Sequence, residues 1–99
     1  MFDKVKLALR VTTDAFDAEI QDLINAALAD LGIAGVVDSM TNESSGDALV
    51  LRAVTTYCKL HFGEPTEKDY DRLKASYDEQ KAQLATSTPY TDWTAVYNA

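Results

Sequence analysis

Cys58 and His61 are the chain's single cysteine and single histidine, and they stand three residues apart. On a helix that spacing puts both near one face. A thiol beside an imidazole is the pair that yields a thiolate nucleophile, and the same two residue types begin many zinc sites. Structural zinc takes four ligands, however, and no second Cys or His exists here to complete such a set. The pair therefore reads first as a buried thiol and a histidine at a helix end, where a positive imidazole is favoured by the helix dipole.

Asp14, Asp17 and Glu19 form a second cluster, of the kind that hard cations seek. Neither an Asp-x-Asp-x-Asp-Gly loop nor a terminal glutamate at the calcium-loop spacing accompanies them. They crowd a helix start, where negative charge complements the dipole. The sequence also lacks a glycine-rich phosphate loop and a Gly-x-Ser-x-Gly elbow. No catalytic residue, metal ligand or cofactor site is expected, and the chain is not read as an enzyme.

Four helices must carry these groups. Residues 2–10 alternate like a strand at Val5, Leu7, Leu9 and Val11, yet Phe2, Val5, Ala8 and Leu9 also fit a short helix. The Leu, Ala, Lys and Arg content favours the helix. A second helix is expected from a cap at Thr13 or Asp14 to a stop at Gly32, with its apolar face at Phe16, Ile20, Leu23, Ile24, Ala27, Leu28 and Leu31. A turn-rich loop follows from Gly32 to Gly46, with Ile33, Val36 and Val37 expected to tuck onto the core. The third helix should begin near Ser45 or Asp47 and end at Gly63. It is apolar nearly all round, which predicts a central position or burial by partners, with Arg52 and Lys59 as its only wet edge. A charge placed at Leu51 or Val54 should unfold the domain.

Pro65 and Thr66 open the fourth helix, with Thr66 and Asp69 spaced as a cap and its acidic partner. Tyr70, Leu73, Tyr77 and Leu84 form its seam, and Asp69–Arg72, Asp71–Lys74 and Asp78–Lys81 are spaced as ion pairs. Thr86-Ser87-Thr88-Pro89 then breaks the pattern. The expected architecture is all-α: a small bundle of about four helices over residues 1–84, with a C-terminal arm at 85–99 carrying Tyr90, Trp93 and Tyr97.

Composition narrows the function. Sixteen acids against nine bases give a net charge of −7, which disfavours gripping a polyanion or an anionic membrane. A helix-turn-helix reader fails on the same ground, because the second helix has no Lys or Arg to offer to bases or phosphates. A lone cysteine excludes an intrachain disulfide. No apolar run approaches the ~20 residues that span a bilayer, and Lys4 and Lys6 are not followed by the apolar block of a secretory signal.

The ordered features resemble the head–tail connector family of tailed bacteriophages, also described as DNA-packaging or head-completion proteins. The resemblance covers roughly residues 2–93. It is carried by the opener Phe2-Asp3-Lys4-Val5-Lys6-Leu7-Ala8-Leu9, the entry Asp14-Ala15-Phe16-Asp17-Ala18-Glu19-Ile20 and Ile24-Asn25-Ala26-Ala27. It continues through Leu49-Val50-Leu51-Arg52-Ala53-Val54, Tyr57-Cys58-Lys59 and Phe62-Gly63. Tyr70, the run Leu73-Lys74-Ala75-Ser76-Tyr77-Asp78-Glu79 and Tyr90-Thr91-Asp92-Trp93 complete it.

That resemblance implies a non-enzymatic virion subunit at the head–tail junction, made in the bacterial host cytoplasm and free of cofactors. It implies a ring of identical subunits beneath the portal protein, extending the DNA channel and docking the next head-completion or tail component. DNA would pass without specific binding, repelled by a carboxylate-lined lumen, for which Asp14, Asp17, Glu19, Asp22, Glu43 and Asp47 are the candidates. Tyr90, Trp93 and Tyr97 are the candidate docking residues. Two readings compete with it: a small acidic helical regulator that binds a protein partner through the third helix, and an enzyme using Cys58 and His61.

Overall fold

A computed structural model describes residues 1–91. Four α-helices make up the chain's body: α1 (Phe2–Ala8), α2 (Asp17–Ile33), α3 (Ala48–His61) and α4 (Glu67–Thr86), followed by a 3-10 turn at Thr88–Tyr90. The fold is all-α, as the apolar periodicity requires. α3 lies between α2 and α4, and α1 packs across both α2 and α3.

The core follows from which side each helix turns inward. Ile20, Ile24, Ala27, Leu28 and Leu31 of α2 meet Val50, Ala53, Val54 and Cys58 of α3, and α4 adds Tyr77 and Leu84. Val5 is the one fully buried residue of α1. Burying a side chain of that size contributes about 1.5–3 kcal/mol, enough to anchor a two-turn helix that would not persist alone.

Both early helices close on the same motif. At the end of α1, Arg10 takes a left-handed backbone at φ 62°; its N–H donates to Leu7 O and that of Val11 to Lys6 O. At the end of α2, Gly35 at φ 112° plays the same part, with Gly35 N–H to Gly32 O and Val36 N–H to Leu31 O. This crossed pair of bonds satisfies the last orphan carbonyls of each helix.

The boundaries of α2 differ from the sequence expectation at both ends. The stop is Gly35 rather than Gly32, because only the residue beyond the cap must be left-handed. Gly32 itself sits within the helix. The start is Asp17, with Phe16 as an N-cap that supplies no side-chain bond. Thr13 is engaged earlier, accepting from Ala15 N–H at 3.2 Å, and Asp17 N–H donates to Asp14 O at 3.2 Å. Those residues form a turn before the helix instead of capping it.

Four apolar expectations are also corrected. Val36 is buried, but Ile33 stands 86% exposed, since the extension of α2 carries it onto the outer face. Phe16 is 44% exposed and meets Phe62 edge-on at 5.6 Å instead of entering the α2–α3 seam. Leu51 is only half-buried. On α4, Tyr77 and Leu84 are buried, whereas Tyr70 is 40% exposed.

α3 and α4 begin as their sequences demand. Asp47 Oδ1 accepts from Leu49 N–H and Val50 N–H, both at 3.0 Å. Thr66 Oγ1 accepts from Asp69 N–H at 3.2 Å. Among the expected ion pairs of α4, Asp69–Arg72 is present at 3.8 Å. Lys74 pairs with Asp78 at 3.0 Å rather than Asp71, and Lys81 leaves α4 for Asp30 at 3.2 Å.

Candidate functional site

The two residues with the most reactive chemistry are separated by burial. Cys58 is wholly enclosed, and burial pushes its thiol up to about 12, so a thiolate is not accessible near neutral pH. His61 is exposed, its ring 4.3 Å from that of Tyr57. One turn of α3 thus holds a thiol turned into the core and an imidazole turned out. No group of three or more His, Cys, Asp or Glu capable of holding a metal occurs among the described residues.

Beside His61 the three long helices share a polar junction. Tyr77 Oη donates to Asp30 Oδ2 at 2.5 Å, and Lys81 Nζ donates to the same oxygen at 3.2 Å. Tyr57 packs on Tyr77 at 5.3 Å. Burial pushes the Asp30 carboxyl upward, but the Tyr77 and Lys81 bonds outweigh it and leave the group below its ordinary range. Burial and the Asp30 carboxylate together drive the Tyr77 hydroxyl up, fixing it as a donor. Asp30 is not among the residues that the sequence singles out, and the junction was missed. Its signal was Tyr77 within the apolar seam, because a buried hydroxyl must find a partner.

The candidate channel acids do not share one environment. Asp14 and Asp17 converge on Lys6, at 3.2 and 2.8 Å. Asp17, with Asp14, raises the lysine above its ordinary value against some desolvation. Glu43 accepts from Gln21 Nε2 at 2.9 Å across the loop. Asp47 is occupied by its helix cap and by Tyr90, whose hydroxyl donates to Oδ2 at 2.8 Å. Burial works against ionisation of Asp47, yet the bonds from Val50, Tyr90 and Leu49 hold it below the usual carboxylate range. Glu19 and Asp22 are exposed on α2 and form no ion pair among the described residues.

Tyr90 is half-buried against its own core. Besides the bond to Asp47, its carbonyl accepts from Val37 N–H at 2.9 Å, and Thr91 bridges to Val36. The first residues of the expected arm therefore close over the α2–α3 loop. Trp93 and Tyr97 lie outside the described residues.

On another side of the molecule, α1, α3 and α4 enclose an open groove of about 500 Å³. Lys4, Arg52, Lys59 and Arg72 line it, without one Asp or Glu among the described residues. Four of nine bases in a chain of net charge −7 thus meet at one place. The sequence spreads them over residues 4–72, which is why only the fold reveals the grouping.

No helix among the described residues is long and apolar enough to cross a membrane. A family model described as phage connector protein matches residues 1–91. Neither the curated proteins nor the solved structures yielded a match to the chain.

Proposed function

The chain belongs to the phage connector protein family, and from that membership we propose that it is a structural subunit of the head–tail junction of a tailed phage. The observation that carries this reading is the extent of the match: it covers residues 1–91, the whole four-helix unit with its closing turn. In this role copies of the chain form a ring below the portal protein, extend the DNA channel and offer a seat to the next head-completion or tail component. A repeating contact between two different faces of the subunit closes by rotation.

Acidity supports passage of DNA over retention of it. Carboxylates drawn from Asp14, Asp17, Glu19, Asp22, Glu43 and Asp47 repel phosphates and let a duplex slide. The protein should show no tight, salt-dependent duplex binding in a mobility-shift assay; finding such binding would overturn the channel role. Docking is assigned to the aromatic arm, with Tyr90 as its root on the core and Trp93 and Tyr97 as the contacts. Removal of residues 92–99 is expected to keep the melting transition and to lower incorporation into heads.

The deciding experiment is imaging of portal complexes reconstituted with the protein, together with a count of copies per virion. Closed rings on the portal support the reading. Particles with only two-fold dimers, or virions without the protein, would refute it.

A further inference from the structure

The groove between α1, α3 and α4 is more than a collection of cations. Lys4, Arg52 and Lys59 are exposed and have no ion pair among the described residues, and Arg72 has only Asp69 at 3.8 Å. Ala8, Ala48, Leu51 and Leu73 supply apolar lining between them. A surface that is both basic and apolar suits an occupant that is both acidic and apolar.

This chain carries such a face. α2 contains no Lys or Arg, and its outer side exposes Glu19 and Asp22, without an ion pair among the described residues, followed by Ala26, Ala29 and Ile33. Ile33 is the most exposed large apolar residue among the described residues, at 86%. Two carboxylates with an apolar stripe ending in isoleucine complement cations set around alanine and leucine. The groove volume holds the side chains of one helical face and not a whole helix, whose diameter is about 10–12 Å.

We infer that the groove of one subunit receives the outer face of α2 from a second copy of the chain. No α2 residue lines the groove, so the two surfaces are distinct and the contact is heterologous, which propagates around a ring instead of stopping at a dimer. The inference rests on the ring reading above and supplies its interface. It also withdraws Glu19 and Asp22 from the lumen, leaving Asp14 and Glu43 as its exposed acids. A nucleic-acid backbone is the rival occupant. It has nothing apolar to offer Leu51 and Leu73, and the net charge of −7 opposes its approach.

The test reverses charge on each face in the full chain and counts rings on portal complexes, with circular dichroism to show that each variant is folded. Arg52→Glu with Lys59→Glu should cut ring formation at least about ten-fold, since like charges set against each other disfavour association strongly. Glu19→Lys with Asp22→Lys should do the same. All four substitutions in one chain should restore rings, because each repulsive contact becomes attractive again. Either pair forming rings as readily as the parent would overturn the inference while the ring reading stands. Failure of the fourfold variant to recover would remove α2 as the occupant and point to an acidic segment of another virion protein. Absence of rings from the parent itself would instead sink the ring reading and this interface with it.

Discussion

The two sides of α3 have had opposite fates. On one side Val50, Ala53, Val54 and Cys58 are completely enclosed by the core. On the other, Leu51, Arg52, Thr55 and Lys59 line a groove that stays open. From sequence, Leu51 reads as core, whereas Arg52 and Lys59 read as the wet edge of the helix. The difference shows that one helix can commit one side to the core and leave the other open, and that Arg52 and Lys59 mark the open side. The committed side is saturated with contacts, whereas Arg52 and Lys59 on the open side have no ion pair among the described residues.

Substitutions on the two sides should therefore separate, and the widest separation comes from a buried charge. Val54→Asp places a carboxylate where no water or partner can reach it and should abolish cooperative unfolding by heat at neutral pH. Leu51→Asp, in the half-buried groove lining, should leave a folded protein destabilised by about 1–2 kcal/mol. Equal damage from both, measured by denaturant melts, would erase the distinction between the sides.

The polar junction of Asp30, Tyr77 and Lys81 gives the next largest effect. Asp30→Asn removes a charge-assisted acceptor and should destabilise by about 1.5–3 kcal/mol. Because the folded Asp30 carboxyl is held below its unfolded value, its contribution is present above the unfolded pKa of about 4 and is lost as pH falls through the folded value. The parent should thus lose stability below pH 4 more steeply than Asp30→Asn. Parallel pH profiles would show that the junction carries no ionisation-linked stability.

How much of this was legible in the sequence depends on the distance over which the controlling interaction acts. Helix identity came from local periodicity, and the caps at Asp47 and Thr66 from side chains within three residues of the groups they satisfy. Gly35 was missed because Gly32 met the same propensity rule; the left-handed position depends on where the last full turn ends. Lys81 was assigned to Asp78 by spacing, but α2 presents a better acceptor across the bundle. The groove was illegible for the same reason, since Lys4, Arg52 and Arg72 become neighbours only when three helices pack. The connector family was legible from the order of the elements.

A smaller effect is expected at the closure of the α2–α3 loop. Asp47→Ala removes the α3 cap and the acceptor of Tyr90 together, and should destabilise by about 1–2 kcal/mol. Tyr90→Phe keeps the ring against the core and loses one hydrogen bond, for about 0.5–1.5 kcal/mol. A double-mutant cycle between them should show coupling, as contacting residues do. Additive effects would mean that the Tyr90–Asp47 bond does not hold Tyr90 on the core in solution.

The smallest effect should come from the groove cations, and its smallness is the point. Arg52 is exposed in the middle of α3, without an ion pair among the described residues and with Lys4, Lys59 and Arg72 lining the same groove. Like charges brought together disfavour the fold slightly, and alanine is at least as good a helix former as arginine. Arg52→Ala should therefore shift stability by no more than about 0.5 kcal/mol, in either direction. The denaturant midpoint and slope of the parent and the variant should nearly coincide. A loss above about 1 kcal/mol would instead assign Arg52 to holding α3 against its neighbours, and would turn the open side of α3 into a second structural one.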